Sequence, residues 1–160
     1  VLTDNRVVVL LLRTVLAGLF ALLVMLQTFS FPGQFASMAR EDPDFAPLRW
    51  PATVIVIFWL LCAQVVIVAT WRLLTLVRRD AIFSDAAFKW VDAILYAIGA
   101  GWVVLVGVFL VVGFNADDPG PIVVLMLLVT GVTAFGLVML VMRALLRQAT
   151  HLRSEMETVI

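Results

Sequence analysis

The chain has 160 residues, 64% of them apolar, with a mean hydropathy of +1.13 and only 14% charged residues. Soluble domains run near half apolar with about a quarter charged, and a water-soluble core of this size cannot hide so much hydrocarbon. These proportions exclude a soluble enzyme, a disordered segment and a nucleic-acid-binding module, and they point to a membrane-embedded protein. Eleven basic residues balance eleven acidic ones, so net charge selects no partner. All the basic residues but Lys89 are arginine, a hint of a GC-rich bacterial genome. The single cysteine, Cys62, excludes an intrachain disulfide and a cysteine-based metal cluster. Set mid-span among apolar residues, it reads as an inert packing residue.

Charged residues are missing from 14–39, 50–71, 93–116 and 119–142. At ~1.5 Å per residue, about 20 apolar residues cross the ~30 Å of hydrocarbon, so each run predicts a membrane span. Span one covers about 8–31; Arg13 near its start snorkels to the interface, and Pro32-Gly33 is expected to end it. The chain opens on valine, so an initiator residue or a short N-terminal piece is expected to precede it. The apolar run exceeds the h-region of a cleaved signal peptide, despite the small-residue step Ser37-Met38-Ala39. The following loop holds Pro32, Pro43, Pro47 and Pro51 with Phe35 and Phe45, and reads as an interfacial turn capped by an acidic hairpin.

Span two opens at Pro51, a good first-turn residue, and runs to Trp71. The connection 72–92 continues as helix through Leu73, Leu74, Leu76 and Val77 into Arg78-Arg79. Ser84 then suits an N-cap, Asp85 suits the helix dipole, and Phe83 with Phe88 fits a hydrophobic staple. Ile82, Phe83 and Phe88 are expected on the headgroup boundary beneath the arginine pair. Span three covers about 93–114. Span four covers about 119–142, with Asp118 as N-cap and Pro119 as first helical residue. The tail 143–160 continues it, with Leu145, Ala149, Leu152, Met156 and Val159 in a helical stripe.

Lys and Arg set orientation. Arg6 and Arg13, then Arg72, Arg78, Arg79 and Lys89, then Arg143, Arg147 and Arg153 all fall on one side; Arg40 and Arg49 alone fall on the other. The bias predicts an all-α, integral membrane, antiparallel four-helix bundle. It is a single domain over 1–160 with both termini cytoplasmic, multi-pass in a bacterial inner membrane. Trp50, Trp71 and Trp90 fall at the predicted interfaces. The outer loops carry Glu41, Asp42, Asp44, Asp117 and Asp118 without metal-loop spacing, so a solvated acidic face is the simpler reading than a cation site.

No span carries a charge in its middle, which argues against a pump or a proton-coupled transporter. The intramembrane polar contacts left are Gln27, Gln64, Thr130 and Thr133. Glutamines in spans commonly hydrogen-bond between helices; a ligand cavity at Gln64 is the sharper alternative. Ala93, Ala97 and Gly101 form a small-residue ladder, suited to close packing with a neighbouring span of this chain or to a partner face. His151, the one histidine, has no ligand-spaced partner, and its absence from the spans excludes histidine-ligated haem. No nucleophile–base pair, phosphate-cradling loop or metal motif occurs, so neither enzyme activity nor a cofactor is expected.

The connection reading Leu73-Leu74-Thr75-Leu76-Val77-Arg78-Arg79-Asp80-Ala81-Ile82-Phe83-Ser84, followed by Lys89-Trp90 and Ile94, resembles a bacterial family of four-span membrane proteins, domain-of-unknown-function family 2975. The Ile82-Phe83-Ser84 step with its following basic residue carries the resemblance most specifically. Ala81, where members often have glycine or a polar residue, and the longer acidic outer loop depart from it. Members are small integral membrane proteins, often encoded beside a small helix-turn-helix regulator. The resemblance therefore implies a cytoplasmic face that tethers or modulates a soluble regulator, with no direct contact to nucleic acid.

The sequence thus favours a non-catalytic accessory or regulatory membrane protein. It is expected to act through helix–helix contacts and a cytoplasmic interface of Arg78, Arg79, Phe83, Ser84, Lys89, Leu152 and Met156, with membrane lipid and another membrane protein or itself as partners. A small homo-oligomeric transporter or channel would need a path along the four polar residues. A lipid- or quinone-binding protein would need a pocket near Trp59 and Trp102.

Overall fold

The computed structural model describes residues 2–44, 46–79 and 84–159, and every long element among them is helical. Helix α1 spans Leu2–Met25, a π turn spans Leu26–Ser30, and α2 spans Phe31–Glu41. A short 3₁₀ turn, Ala46–Leu48, leads into α3, Arg49–Arg78; α4 spans Asp85–Asn115 and α5 spans Pro119–Val159. No strand occurs among the described residues. Four helical segments are long and apolar enough to cross a membrane, which makes the chain a multi-pass membrane protein by length and composition. Hydrocarbon offers backbone groups no water partner, so apolar runs of this length close their hydrogen bonds within one helix. The threonines follow the same rule. Thr14, Thr28, Thr53, Thr70 and Thr130 each donate a hydroxyl to the carbonyl four residues back, at 2.7–2.9 Å.

The first helix does not stop at Pro32-Gly33. Proline lacks an N–H and its ring clashes with the carbonyl four residues before it, here that of Thr28. The π turn places one extra residue ahead of that point, with Phe31 N–H bonded to the Leu26 carbonyl. Pro32 then falls in the first turn of α2, where an N–H has no helical partner to lose. The segment expected as an acidic hairpin is correspondingly shorter. Helix runs on to Glu41, and only Asp42–Asp44 turn, with the Asp44 N–H donating to Asp42 Oδ1 at 3.0 Å.

The chain falls into two compact units, Val1–Trp71 and Arg72–Ile160. In the first, α1 and the π turn after it reach α3 through long side chains. Gln64 Nε2 donates to Gln27 Oε1 at 2.9 Å, and the Arg13 guanidinium lies 5.1 Å from the centre of the Trp71 ring. Trp50 and Trp71 mark the two ends of the apolar part of α3, about 31 Å apart along a helix, which matches the hydrocarbon thickness. Arg49 stacks on Trp50 at 4.9 Å, so both ends carry an arginine–tryptophan contact.

In the second unit, α4 and α5 form a helical hairpin closed by the three residues 116–118. Asp118 Oδ1 accepts the Gly120 N–H at 3.1 Å, and Pro119 begins α5. Ser84 stands at the N-cap of α4 with extended backbone, and Asp85 lies in the first turn. Ile82 and Phe83, and with Phe83 the expected staple to Phe88, lie outside the described residues.

Candidate functional site: the α4–α5 hairpin and its tail

Three contacts fix the hairpin register. Asp92 meets Arg143, Ile98 lies against Gly136, and Trp102 meets Thr133. Ten positions forward on α4 match ten positions backward on α5, so these two helices run antiparallel in one constant register. Arg143 Nε donates to Asp92 Oδ1 at 2.6 Å, and Nη2 stands 3.5 Å from Oδ2. Arg143 sits just past the charge-free run. The hydrogen bond and charge of Asp92 hold its guanidinium above the usual value.

Deeper in the hairpin the Trp102 indole N–H donates to Thr133 Oγ1 at 2.8 Å, while Thr133 bonds back to the Val129 carbonyl at 2.7 Å. The indole N–H, costly in hydrocarbon if unmet, is thereby satisfied. Between this pair and Leu140 the two helices leave a groove of about 380 Å³. Leu95, Ile98, Gly99, Val132, Gly136 and Leu137 contribute to its lining, which is almost wholly apolar. Of the two tryptophans near which a lipid- or quinone-binding protein would need a pocket, Trp102 lines this groove and Trp59 does not.

Of the polar residues singled out from sequence, Gln27 and Gln64 bond to each other in the first unit, while Thr130 and Thr133 bond back along α5 in the second. Gln27 Nε2 is buried and has no hydrogen-bond partner. The ladder Ala93, Ala97 and Gly101 lies roughly half a turn around α4 from the line Asp92, Ile98 and Trp102 that meets α5. Ala97 is buried, and Ala93 and Gly101 are half-buried.

On the side expected to be cytoplasmic, Arg78, Arg79 and Lys89 are exposed and Ser84 is half-buried. Phe83 lies outside the described residues. Arg72 lies 5.7 Å from the Trp90 ring centre. Leu152 and Met156 are 56% and 70% exposed on a helix that continues to Val159 without a break. The tail is tied along its other sides by contacts one turn apart, His151 Nε2 with Glu155 Oε1 at 3.0 Å and the ion pair Arg153–Glu157 at 3.6 Å. Among the described residues, no group of three or more His, Cys, Asp or Glu comes together as a metal site.

Sequence reading missed Asp92, Arg143 and Gly136. A signal was present. Asp92 and Arg143 are the first charges met in each direction from the 116–118 turn after Asp117 and Asp118, and they stand nearly equal distances from it. A short turn between two helices pairs such positions.

The family model described as "Protein of unknown function (DUF2975)" matches residues 33–160, a stretch that begins in the first turn of α2 and leaves out α1 and the π turn. The chain belongs to this family. The match covers α3, α4, α5 and the connection on which the family resemblance rests. No curated protein and no solved structure matches this DUF2975 member.

Proposed function

We propose that this DUF2975 protein is a non-catalytic accessory or regulatory membrane protein, a subunit of a larger membrane complex or the tether of a soluble regulator. In this reading the four apolar helices form an antiparallel bundle in a bacterial inner membrane. Both termini and the 72–92 connection face the cytoplasm, following the Lys and Arg bias. The observation that carries it is the tail. Exposed apolar side chains within the charge-free runs do not by themselves require a protein partner, because lipid can cover them. Leu145, Leu152 and Met156 stay more than half exposed on a segment interrupted by Arg147, Arg153, Glu155 and Glu157, beyond the hydrocarbon. An apolar stripe held out in water marks a contact surface. On the same side of the membrane in this reading, the exposed Arg78, Arg79 and Lys89 supply a basic face for an acidic partner.

Affinity purification of the full chain from native membranes in mild detergent tests this. The expected result is a stoichiometric companion, a second copy or another protein. An isolated monomer with nothing bound overturns the proposal. One observation favours a second reading, lipid binding. The α4–α5 groove is apolar and has the volume of a small-molecule site. Native mass spectrometry separates the two, since a retained lipid adds a lipid mass to a protein that is otherwise alone.

A further inference from the structure

We infer that the exposed face of α5 pairs with α5 of a second copy, as a parallel coiled coil that starts in the membrane and continues along the tail. This rests on the reading of the tail as a contact surface and names what covers it. The apolar positions Phe135, Val138, Met142, Leu145, Leu152 and Met156, with Ala149 between the last two pairs, recur at three and four residues. All six large side chains are more than half exposed. The centre of this stripe lies nearly half a turn around α5 from the face that meets Asp92 and Trp102.

Lipid does not cover the tail part of this seam. Helix α5 is unbroken from Pro119 to Val159, and the stretch beyond Arg143 extends about 24 Å past the charge-free run. A rod leaving the bilayer in this way cannot lay its side along the headgroups, as an interfacial helix does. The cover is therefore protein.

The spacing selects the kind of protein. A seven-residue repeat drifts about 20° per heptad around a straight helix, so only a partner helix that supercoils with α5 stays on the seam from Phe135 to Met156. The tail positions off the seam are those of a coiled coil. Arg147, Thr150, His151, Ser154 and Glu157 point away from it, and Gln148, Arg153 and Glu155 flank it.

A second copy fits this surface. Two chains inserted with the same orientation present their α5 helices parallel about a two-fold axis along the membrane normal. In that register Gln148 faces Arg153 of the partner subunit, so no like charges meet across the seam. Gly131, one step further into the membrane, has nothing within 4 Å of its would-be Cβ, which leaves room for close backbone approach. At roughly 100 Å² per exposed side chain, the six large residues of both copies cover about 1,200 Å², the lower edge of a specific interface. Membrane tethering raises the effective concentration of the two short tails.

Cross-linking of the full chain in isolated membranes tests the pairing. In a Cys62→Ala background, Ala149→Cys and Leu152→Cys place a thiol on the seam, and Arg147→Cys and Ser154→Cys place one off it. A disulfide needs Cα atoms within ~7 Å, so under a copper oxidant the seam variants are expected to form covalent dimer roughly tenfold faster than the off-seam pair. Equal rates at all four positions, or no dimer at 149 and 152, overturn it. If that happens while the affinity-purified chain still carries a stoichiometric companion, the homodimer fails and the accessory role stands. A monomer in both experiments removes both.

Discussion

Asp92 and Arg143 are the charges that border the apolar runs of α4 and α5 at one end of the hairpin, and they meet at 2.6 Å. Both side chains are about one-third exposed, so the pair sits at a boundary rather than in hydrocarbon. It ties the two helices together at the open end of the hairpin, in the register that the closing turn sets at the other. Replacing Asp92 by Asn or Arg143 by Gln is expected to lower the thermal midpoint in detergent by a few degrees. The exchanged pair Asp92→Arg with Arg143→Asp should recover most of that loss. A loss in the exchanged pair as large as the sum of the two single losses would show that the two residues act independently.

Gln27 and Gln64 give a second test, in the other unit. Their hydrogen bond is 2.9 Å long, and the remaining Gln27 amine is buried without a partner. Gln64→Leu strands the Gln27 amide further and is expected to cost about 0.6 to 1.7 kcal/mol, the range for such bonds in membranes. Gln27→Leu combined with Gln64→Leu removes both polar groups and should restore stability close to the parent. Unfolding in a denaturing detergent titration reads the difference, and a double variant worse than either single one would contradict this account.

Gly136 offers a change in the stabilising direction. A Cβ there meets Ile98 Cγ2 at 3.5 Å, an ordinary van der Waals distance. Gly136→Ala gains that contact and the helix preference of alanine, so it is expected to stabilise by up to about 1 kcal/mol. Gly136→Phe instead pushes a ring into the groove beside Ile98 and is expected to destabilise. Thermal melts of the purified variants decide both signs.

Much of the fold was legible because hydrocarbon permits few choices. Four gaps between charges give four helical segments of membrane-spanning length, Asp118-Pro119 gives the start of α5, and Ser84-Asp85 gives the start of α4. Pro32-Gly33 misled because a proline signals a stop only when the turn before it is α-helical. The π turn removes the conflict through a bond between Phe31 and Leu26 that no residue type advertises. The contacts of the hairpin were less legible. Charges near the spans carry orientation when summed by side, and that reading leaves individual partners unassigned. Pairing Asp92 with Arg143 requires the register of α4 on α5, which the length of the 116–118 turn sets. The tail stripe was visible as a stripe. Its exposure over the whole helix, and its distance from the α4-facing side, became apparent only once α5 was placed against α4.

In the function proposed above, the basic connection and the α5 tail lie together on the cytoplasmic side, where the protein makes its contacts. Cysteine labelling with a membrane-impermeant maleimide tests this most directly, using single cysteines in a Cys62→Ala background. In intact cells Asp42→Cys and Asp117→Cys are expected to label, while Arg79→Cys and Ser154→Cys label only after the membrane is opened. Labelling of Ser154→Cys in intact cells, or of Arg79→Cys and Ser154→Cys from opposite sides, would contradict the account.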